Sequence, residues 1–340
     1  NKNNQFSYYS NLEEQKEVFE IRKAGLNILM SMKGDKKPVA FIEDCAVSLD
    51  HLADYTAQLK EIFKKYNTSG MFYAHASVGT LHIRPVLNMK SDEDIKNMRS
   101  ISEESFEIVK NYKGSHSGEH GDGIVRSEFH EMMFGKKIVN AFEEIKDTFD
   151  SKNLLNPGKI VRPFKSNDRD LMRYKSGYQA QNISTHYDWS NWGQFTDAVE
   201  MCNNNGACRK LDSGVMCPSY RVTKEEKDLV RGRANTLRLA LSNQLPEGSF
   251  ASKEMYETME LCVSCKACQR ECPMSVDMAK MKSEFLSHYY KKFSMRIKDR
   301  ITSEMPRLIW LLKIIAPIFN KIKNFPLISS IVEKFGFAVE

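Results

Sequence analysis

Seven of the eight cysteines fall between Cys202 and Cys272, and Cys45 alone lies outside that stretch. Cys262, Cys265, Cys268 and Cys272, with Pro273 behind the last, form C-x2-C-x2-C-x3-C-P. This is the spacing of bacterial iron–sulfur runs, in which the fourth cysteine ligates the other cluster of a pair. Three thiolates on one tight turn reach three corners of a cubane, and the proline turns the fourth elsewhere. Structural zinc also uses C-x2-C, but it needs neither a third cysteine in step nor a following C-P. Such clustering points to ligation in a reducing compartment rather than to a disulfide scaffold. Upstream, Cys202, Cys208 and Cys217-Pro218 form a partner run with Asn205 where the second thiol would stand. Crossing the two C-P cysteines assigns Cys202, Cys208 and Cys272 to one cluster and Cys262, Cys265, Cys268 and Cys217 to the other. A three-thiolate site suits 3Fe-4S, or 4Fe-4S with water or a non-cysteine ligand on the fourth iron, and the spacing leaves both open.

A second group is built from histidine and carboxylate. His75 and His82 flank a short connection, and Glu119-His120 lies in Ser117-Gly118-Glu119-His120-Gly121-Asp122-Gly123. Two imidazoles and a carboxylate make a ligand set for zinc, manganese or iron, although a histidine pair on its own is more often structural. Neighbouring residues of a regular strand face opposite sides, so Glu119 and His120 can converge only where the backbone is irregular. The flanking glycines permit that.

These residues need elements to hold them. Val18, Ile21, Gly25, Ile28 and Met32 recur at helical steps over residues 12–33. Val39 to Val47 reads as a buried strand, and Leu52, Tyr55, Leu59, Ile62 and Tyr66 as a helix face. Met71 to Ala76 and Thr80 to Leu87 read as two strands joined at Ser77-Val78-Gly79. Ser91 with Asp94 resembles a capping box opening a helix through Tyr112. A glycine-rich loop over 114–123 precedes a helix striped by Ile138, Phe142, Ile145 and Phe149. This half is α+β. Residues 160–195 show no clean period and read as a linker. Thr223 with Glu226 then suggests a cap for a helix lined by Val230, Ala234, Leu237 and Leu241, and Ser275 to Lys292 is helical, so the cysteine-bearing half is all-α.

The 340 residues are 41% hydrophobic and 28% charged, which excludes a disordered or collagen-like chain and suits two domains. The net charge of +6 is matched by residues 290–340, with ten basic and four acidic residues. The remainder is near neutral, which argues against nucleic acid as a partner. The apolar run Leu308 to Phe319 contains Lys313 and Pro317 and falls short of the roughly 20 residues of a spanning helix. Flanked by Arg307, Lys321 and Lys323, it reads either as a peripheral membrane contact or as a helix packed on the cluster domain. The chain starts at Asn1, and we read it as a fragment of a longer protein.

His75-Ala-Ser-Val-Gly-Thr-Leu-His82-Ile-Arg-Pro85, Ser117-Gly-Glu-His-Gly-Asp-Gly123 and Leu155-Asn-Pro-Gly-Lys159 resemble the C-terminal, substrate-capping domain of FAD-linked D-2-hydroxyacid dehydrogenases, the family of D-lactate, glycolate and D-2-hydroxyglutarate dehydrogenases. Cys208-Arg-Lys210, Met216-Cys-Pro-Ser-Tyr220, Arg231-Gly-Arg-Ala-Asn235 and Ser264-Cys-Lys-Ala-Cys268 resemble the long form, with an iron–sulfur module fused behind. The resemblance covers residues 15–292. It implies a substrate-capping domain over 1–163, a linker over 164–195, an all-α ferredoxin-like two-cluster domain over 196–292 and a basic, apolar helical tail over 293–340. It also implies metal ligation by His75, His82 and Glu119, His120 as the base, Arg22 and Arg84 on the substrate carboxylate, and Asn156 and Lys159 near the flavin. Arg84 and Thr80 depart from asparagines common in relatives. The expected cofactors are FAD, bound by an upstream domain, two iron–sulfur clusters and a divalent metal. The expected electron acceptor is a quinone or carrier, and the expected location is the cytoplasm, at the inner face of the membrane. Two other readings stand beside this one: a non-catalytic iron–sulfur electron-transfer subunit with a docking domain, and a zinc-stabilised interaction module.

Overall fold

The computed structural model of the protein describes residues 7–212, 214–322 and 325–334. The first half runs α1 (Leu12–Met30), β1 (Lys36–Pro38), β2 (Cys45–Ala46), α2 (Leu52–Lys65), β3 (Gly70–His75), β4 (Thr80–Asn88), α3 (Asp92–Asn111), α4 (Gly123–Ser127), α5 (His130–Phe134) and α6 (Lys136–Phe149). The long strand β4 pairs antiparallel with β1, β2 and β3. In the β3–β4 hairpin Tyr73 stands opposite His82 and His75 opposite Thr80. Because side chains alternate along a strand and opposed residues share a face, Tyr73, His75, Thr80, His82 and Arg84 all project from one side. Phe72, Ala74, Leu81 and Ile83 take the other, against the core. The hairpin turns at Gly79, with φ +71, where an added Cβ would strike the Val47 carbonyl. Tyr55, Leu59, Ile62 and Phe63 of α2 and Met98, Ile101, Phe106 and Val109 of α3 close that core. Ser91 accepts the Asp94 N–H as expected, but the Asp94 carboxylate takes the Asn88 N–H at 2.7 Å, so the reciprocal half of the box is missing.

Three expectations for this half change. Residues 39–47 are not one strand, for only Cys45–Ala46 pair within them; Phe41 and Ile42 are buried in an irregular segment that bends at Asp44, φ +82. The stripe of α1 is not a core face, since Val18, Ile21 and Ile28 are exposed. The stripe of α6 likewise leaves Ile138, Ile145 and Phe149 exposed.

Beyond residue 190 the described chain is helical: α7 (Phe195–Glu200), α8 (Pro218–Thr223), α9 (Val230–Leu241), α10 (Lys253–Glu260), α11 (Ala267–Glu271), α12 (Met278–Lys292), α13 (Ile297–Ile322) and α14 (Pro326–Lys334). Phe195, Leu229, Leu237, Met259 and Phe285 centre a second core. The Thr223–Glu226 cap does not form. Thr223 ends α8 and its hydroxyl accepts the Glu225 N–H, while Glu226 pairs with Arg231 at 2.5 Å.

The segment read as a linker is strapped to both halves. Arg169 donates to Met89 O at 2.8 Å and Arg173 donates to Cys202 O at 2.6 Å, while outside the segment Lys90 joins the two halves directly, pairing with Asp35 and Glu200 at 2.7 and 2.6 Å. At its far end Trp189 is buried, and Glu284 of α12 accepts from the backbone N–H groups of His186 and Tyr187 and from the Trp189 indole. The tail is helical as expected. Its first turn is held by Arg296 to Glu260 and Tyr290 to Asp299. Ile309, Trp310, Ile314 and Ile318 are then exposed, which contradicts packing on the cluster domain. Lys323 lies outside the described residues, and no described helix is long and apolar enough to cross a membrane.

Candidate functional site

Two sites emerge, one on each core. At the first, Asp44 answers the adjacency problem of Glu119 and His120. Its buried carboxylate accepts the Glu119 N–H at 2.9 Å and the His120 N–H at 2.8 Å, while its carbonyl accepts the Gly118 N–H at 2.8 Å. The loop is thereby held irregular, and both side chains turn to the β3–β4 face. Glu119 Oε1 lies 3.1 Å from His82 Nε2, 3.4 Å from His75 Nε2 and 3.4 Å from His120 Nε2. His120 stacks on His82 with ring centroids 4.9 Å apart. His75, His82, Glu119 and His120 are therefore brought together. His82 is buried, and burial lowers its pKa against the pull of Glu43, which favours the neutral form able to ligate a metal. Its Nδ1 finds no hydrogen-bond partner among the described residues.

Sequence reasoning missed Glu43, Asp44 and Tyr73. Glu43 is buried, 3.7 Å from His120 Nδ1 and 3.9 Å from His82 Nδ1. Arg84 Nη2 donates to its Oε1 at 3.0 Å, and Nε stands 2.6 Å from its Oε2 as an ion pair rather than a hydrogen bond, so this predicted substrate clamp already holds a protein carboxylate. Arg22 is exposed, donates to Ala74 O at 3.4 Å and lies over the Tyr73 ring at 6.0 Å. Phe41-Ile42-Glu43-Asp44-Cys45 carries no motif that marks its acids as buried; only their place inside an apolar run hints at it.

At the second site Cys217, Cys262, Cys265 and Cys268 line one small cavity, the grouping that crossing the C-P cysteines predicts. Burial raises the Cys202 and Cys208 thiols, and the nearby Cys272 adds to both shifts. Burial pushes the Cys217 thiol up to about 12 and the Cys268 thiol up to about 11. Backbone N–H groups of Val230 on Cys217, and of Met278 and Ala279 on Cys268, pull the other way. Buried thiols ringed by N–H donors fit iron, which supplies the positive charge that a thiolate there lacks.

Residues 2–160 match the model of FAD linked oxidases, C-terminal domain, and residues 198–276 match that of the 4Fe-4S dicluster domain. The chain joins an FAD-linked oxidase C-terminal domain to a 4Fe-4S dicluster domain. It is 29% identical to the D-2-hydroxyglutarate dehydrogenase of Escherichia coli over 93% of its own length and 34% of that protein's. The Haemophilus influenzae D-2-hydroxyglutarate dehydrogenase is also 29% identical, over 96% and 34%. Glycolate oxidase subunit GlcD of Bacillus subtilis matches at 29% over 44% of this chain and 31% of the relative. The chain thus spans about a third of the curated relatives it matches. Within the oxidase domain Asn156 and Lys159 bond one another at 2.6 Å, on the exposed side of a left-handed bend at Asn156. In the dicluster domain Asn205 is exposed, and its amide is held by Asn203 and Ala207.

Proposed function

We propose that this chain is the substrate-capping and electron-exit portion of a metal-assisted, FAD-dependent D-2-hydroxyacid dehydrogenase of the D-lactate, glycolate and D-2-hydroxyglutarate class. The observation that carries the reading is the convergence of the Nε2 atoms of His75, His82 and His120 on one Glu119 oxygen. Two imidazoles and a carboxylate would hold a divalent ion, with His75, His82 and Glu119 as ligands. Such an ion acidifies a substrate hydroxyl, and FAD, when bound, accepts the hydride.

The residues of this chain do the rest. His120 takes the hydroxyl proton at Nε2, and Glu43 facing Nδ1 stabilises the resulting imidazolium, as a carboxylate behind a catalytic histidine does. Arg84 holds Glu43 in place through its ion pair. Arg22, with Arg84 on the same face, meets the substrate carboxylate through its planar fork. The crossed cysteine sets carry electrons onward to a quinone or carrier, and Asn156 and Lys159 face the flavin.

His120→Ala in the enzyme complete with its FAD-binding domain should slow flavin reduction by about 10²–10⁴-fold while the divalent metal content is retained. Equal flavin reduction in variant and parent removes the assignment.

A further inference from the structure

A second histidine–carboxylate set lies outside the catalytic cluster. His116 and His130 are 0% and 3% exposed. Neither ring nitrogen of His116, nor Nε2 of His130, has a hydrogen-bond partner among the described residues. One ligand atom from each of His116, Asp122 and His130 lies within 4.8 Å of the other two. Asp122 Oδ2 is 3.2 Å from His130 Nε2, and Oδ1 is 3.8 Å from His116 Nε2. Ligand atoms about 2.0–2.1 Å from a tetrahedral ion are separated by roughly 3.3 Å from one another, a spacing the Asp122–His130 pair meets at 3.2 Å and the Asp122–His116 pair exceeds at 3.8 Å.

The hydrogen positions sharpen the point. His130 Nδ1 lies 3.3 Å from the Ile160 carbonyl. A carbonyl can only accept, so Nδ1 carries a hydrogen and Nε2 is the nitrogen turned to the Asp122 carboxylate. A proton between Nε2 and Oδ2 would join His130 to Asp122 alone, whereas a metal ion would take one nitrogen from each histidine and one oxygen from Asp122. The Nδ1–H to a backbone carbonyl is also how metal-bound histidines are oriented. Burial drives the His116 pKa down to about 4, which leaves that ring a neutral ligand. The pocket is dry on the protein side, with Phe106 and Phe134 packed on His116 and Phe134 and Phe142 on His130. Asp122 precedes α4 without capping it, and its side chain is 22% exposed, which leaves a route for an ion and a water as fourth ligand. The nearby Arg126 is held on the carbonyls of Glu43 and Gly121.

We propose that His116, Asp122 and His130 bind a zinc-class divalent ion in a structural site that fixes the loop carrying Glu119 and His120 to α5. The experiment uses the full-length holoenzyme, zinc-loaded and desalted, with zinc counted by plasma mass spectrometry against protein and cluster iron. Asp122→Asn and His116→Gln should each bind one zinc fewer than the parent, with at least 100-fold weaker affinity for that ion, and Co(II) loaded in its place should lose its tetrahedral visible bands. Glu119→Gln should retain this ion whatever it does to the catalytic one, which separates failure of this site from failure of the dehydrogenase reading. Should His116→Gln fail to fold, by circular dichroism and cluster absorbance, Asp122→Asn at its partly exposed position gives the same count. An unchanged zinc count in Asp122→Asn, or a zinc-free Glu119→Gln protein, overturns the proposal.

Discussion

The oxidase-type domain keeps its polar site beside its core, whereas the dicluster domain has its ligands inside the core. His75, Glu119 and His120 are half exposed, over a hydrocarbon interior of Phe41, Ile83 and Phe106. Cys202, Cys208, Cys217 and Cys268 are themselves members of the buried set that includes Leu237 and Phe285. The first domain therefore folds around apolar contacts that exist without any metal. The second needs its iron to satisfy thiols whose ionisation burial opposes, so cluster assembly and folding become one event.

That contrast predicts its own largest test. Cys268→Ala, or anaerobic chelation of the cluster iron, should remove on the order of several kcal/mol from the dicluster domain. Hydrogen exchange should rise across 196–292 to near unfolded rates and stay low in α2, α3 and β4. Protection lost equally in both halves would show that the straps of Arg173 and Lys90 make one cooperative unit, and the comparison would fail.

Glu284 is the next largest anchor, because its buried carboxylate serves three donors from residues 186–189. Glu284→Ala leaves those donors unpaired and should cost about 3 kcal/mol in denaturant unfolding of the dicluster domain. Burial pushes the Glu284 pKa up, but the bonds from His186, Trp189 and Tyr187 outweigh it and the net shift is downward from 4.5. A depressed folded-state pKa means that the stabilisation is complete above the unfolded value of 4.5 and is lost as pH falls from there through the folded value. Parent stability should therefore drop on acidification below pH 4.5 by an amount that Glu284→Gln does not show. Parallel pH curves for the two proteins would rule out the anchor.

In the oxidase domain the corresponding anchor is Asp44, and the effect should fall on the site rather than on the fold. Asp44→Asn tolerates the left-handed backbone but replaces a carboxylate that holds two N–H groups with a weaker acceptor. Affinity of the catalytic site for zinc should fall by about 10–100-fold, with an unfolding midpoint close to the parent's. Unaltered zinc binding would mean that the loop is held by Gly118 and Arg126 without it.

How much of this was legible follows physical lines. The hairpin and the cysteine runs could be read because each rests on short-range spacing, whereas His75 and His82 are joined to Glu119, 37 residues beyond His82, and to His120 by the family resemblance alone. Glu43 and Asp44 could not, since burying an acid depends on partners 41 and 75 residues away, Arg84 and the 118–120 backbone. The faces of α1 and α6 misled for a related reason: periodicity reports an apolar stripe but not what covers it. Thr223 and Glu226 matched a capping pattern, yet Arg231 draws the glutamate to itself.

The smallest expected effect concerns the two cysteine loops of the dicluster domain. Cys265 is flanked by the left-handed residues Ser264 and Lys266, with φ of 54° and 59°, and Asn205 is flanked likewise by Asn204 and Gly206, with φ of 65° and 78°. Helical turns begin at Ala267 and Ala207. Both middle positions are exposed and both third cysteines are buried. The loops therefore share one backbone path, and Asn205 occupies the place of a ligand. Its amide instead bonds Ala207 N–H at 2.8 Å and Asn203 at 2.7 Å, so Asn205→Cys should cost only about 1 kcal/mol in the cluster-free chain. With clusters assembled, mild oxidation of the parent should release the iron that lacks a thiolate and give a 3Fe-4S signal in electron paramagnetic resonance. The substitution should suppress that signal and leave the cluster of Cys217, Cys262, Cys265 and Cys268 unchanged. Identical spectra from both proteins would show that likeness of backbone does not carry a side chain at 205 to the iron.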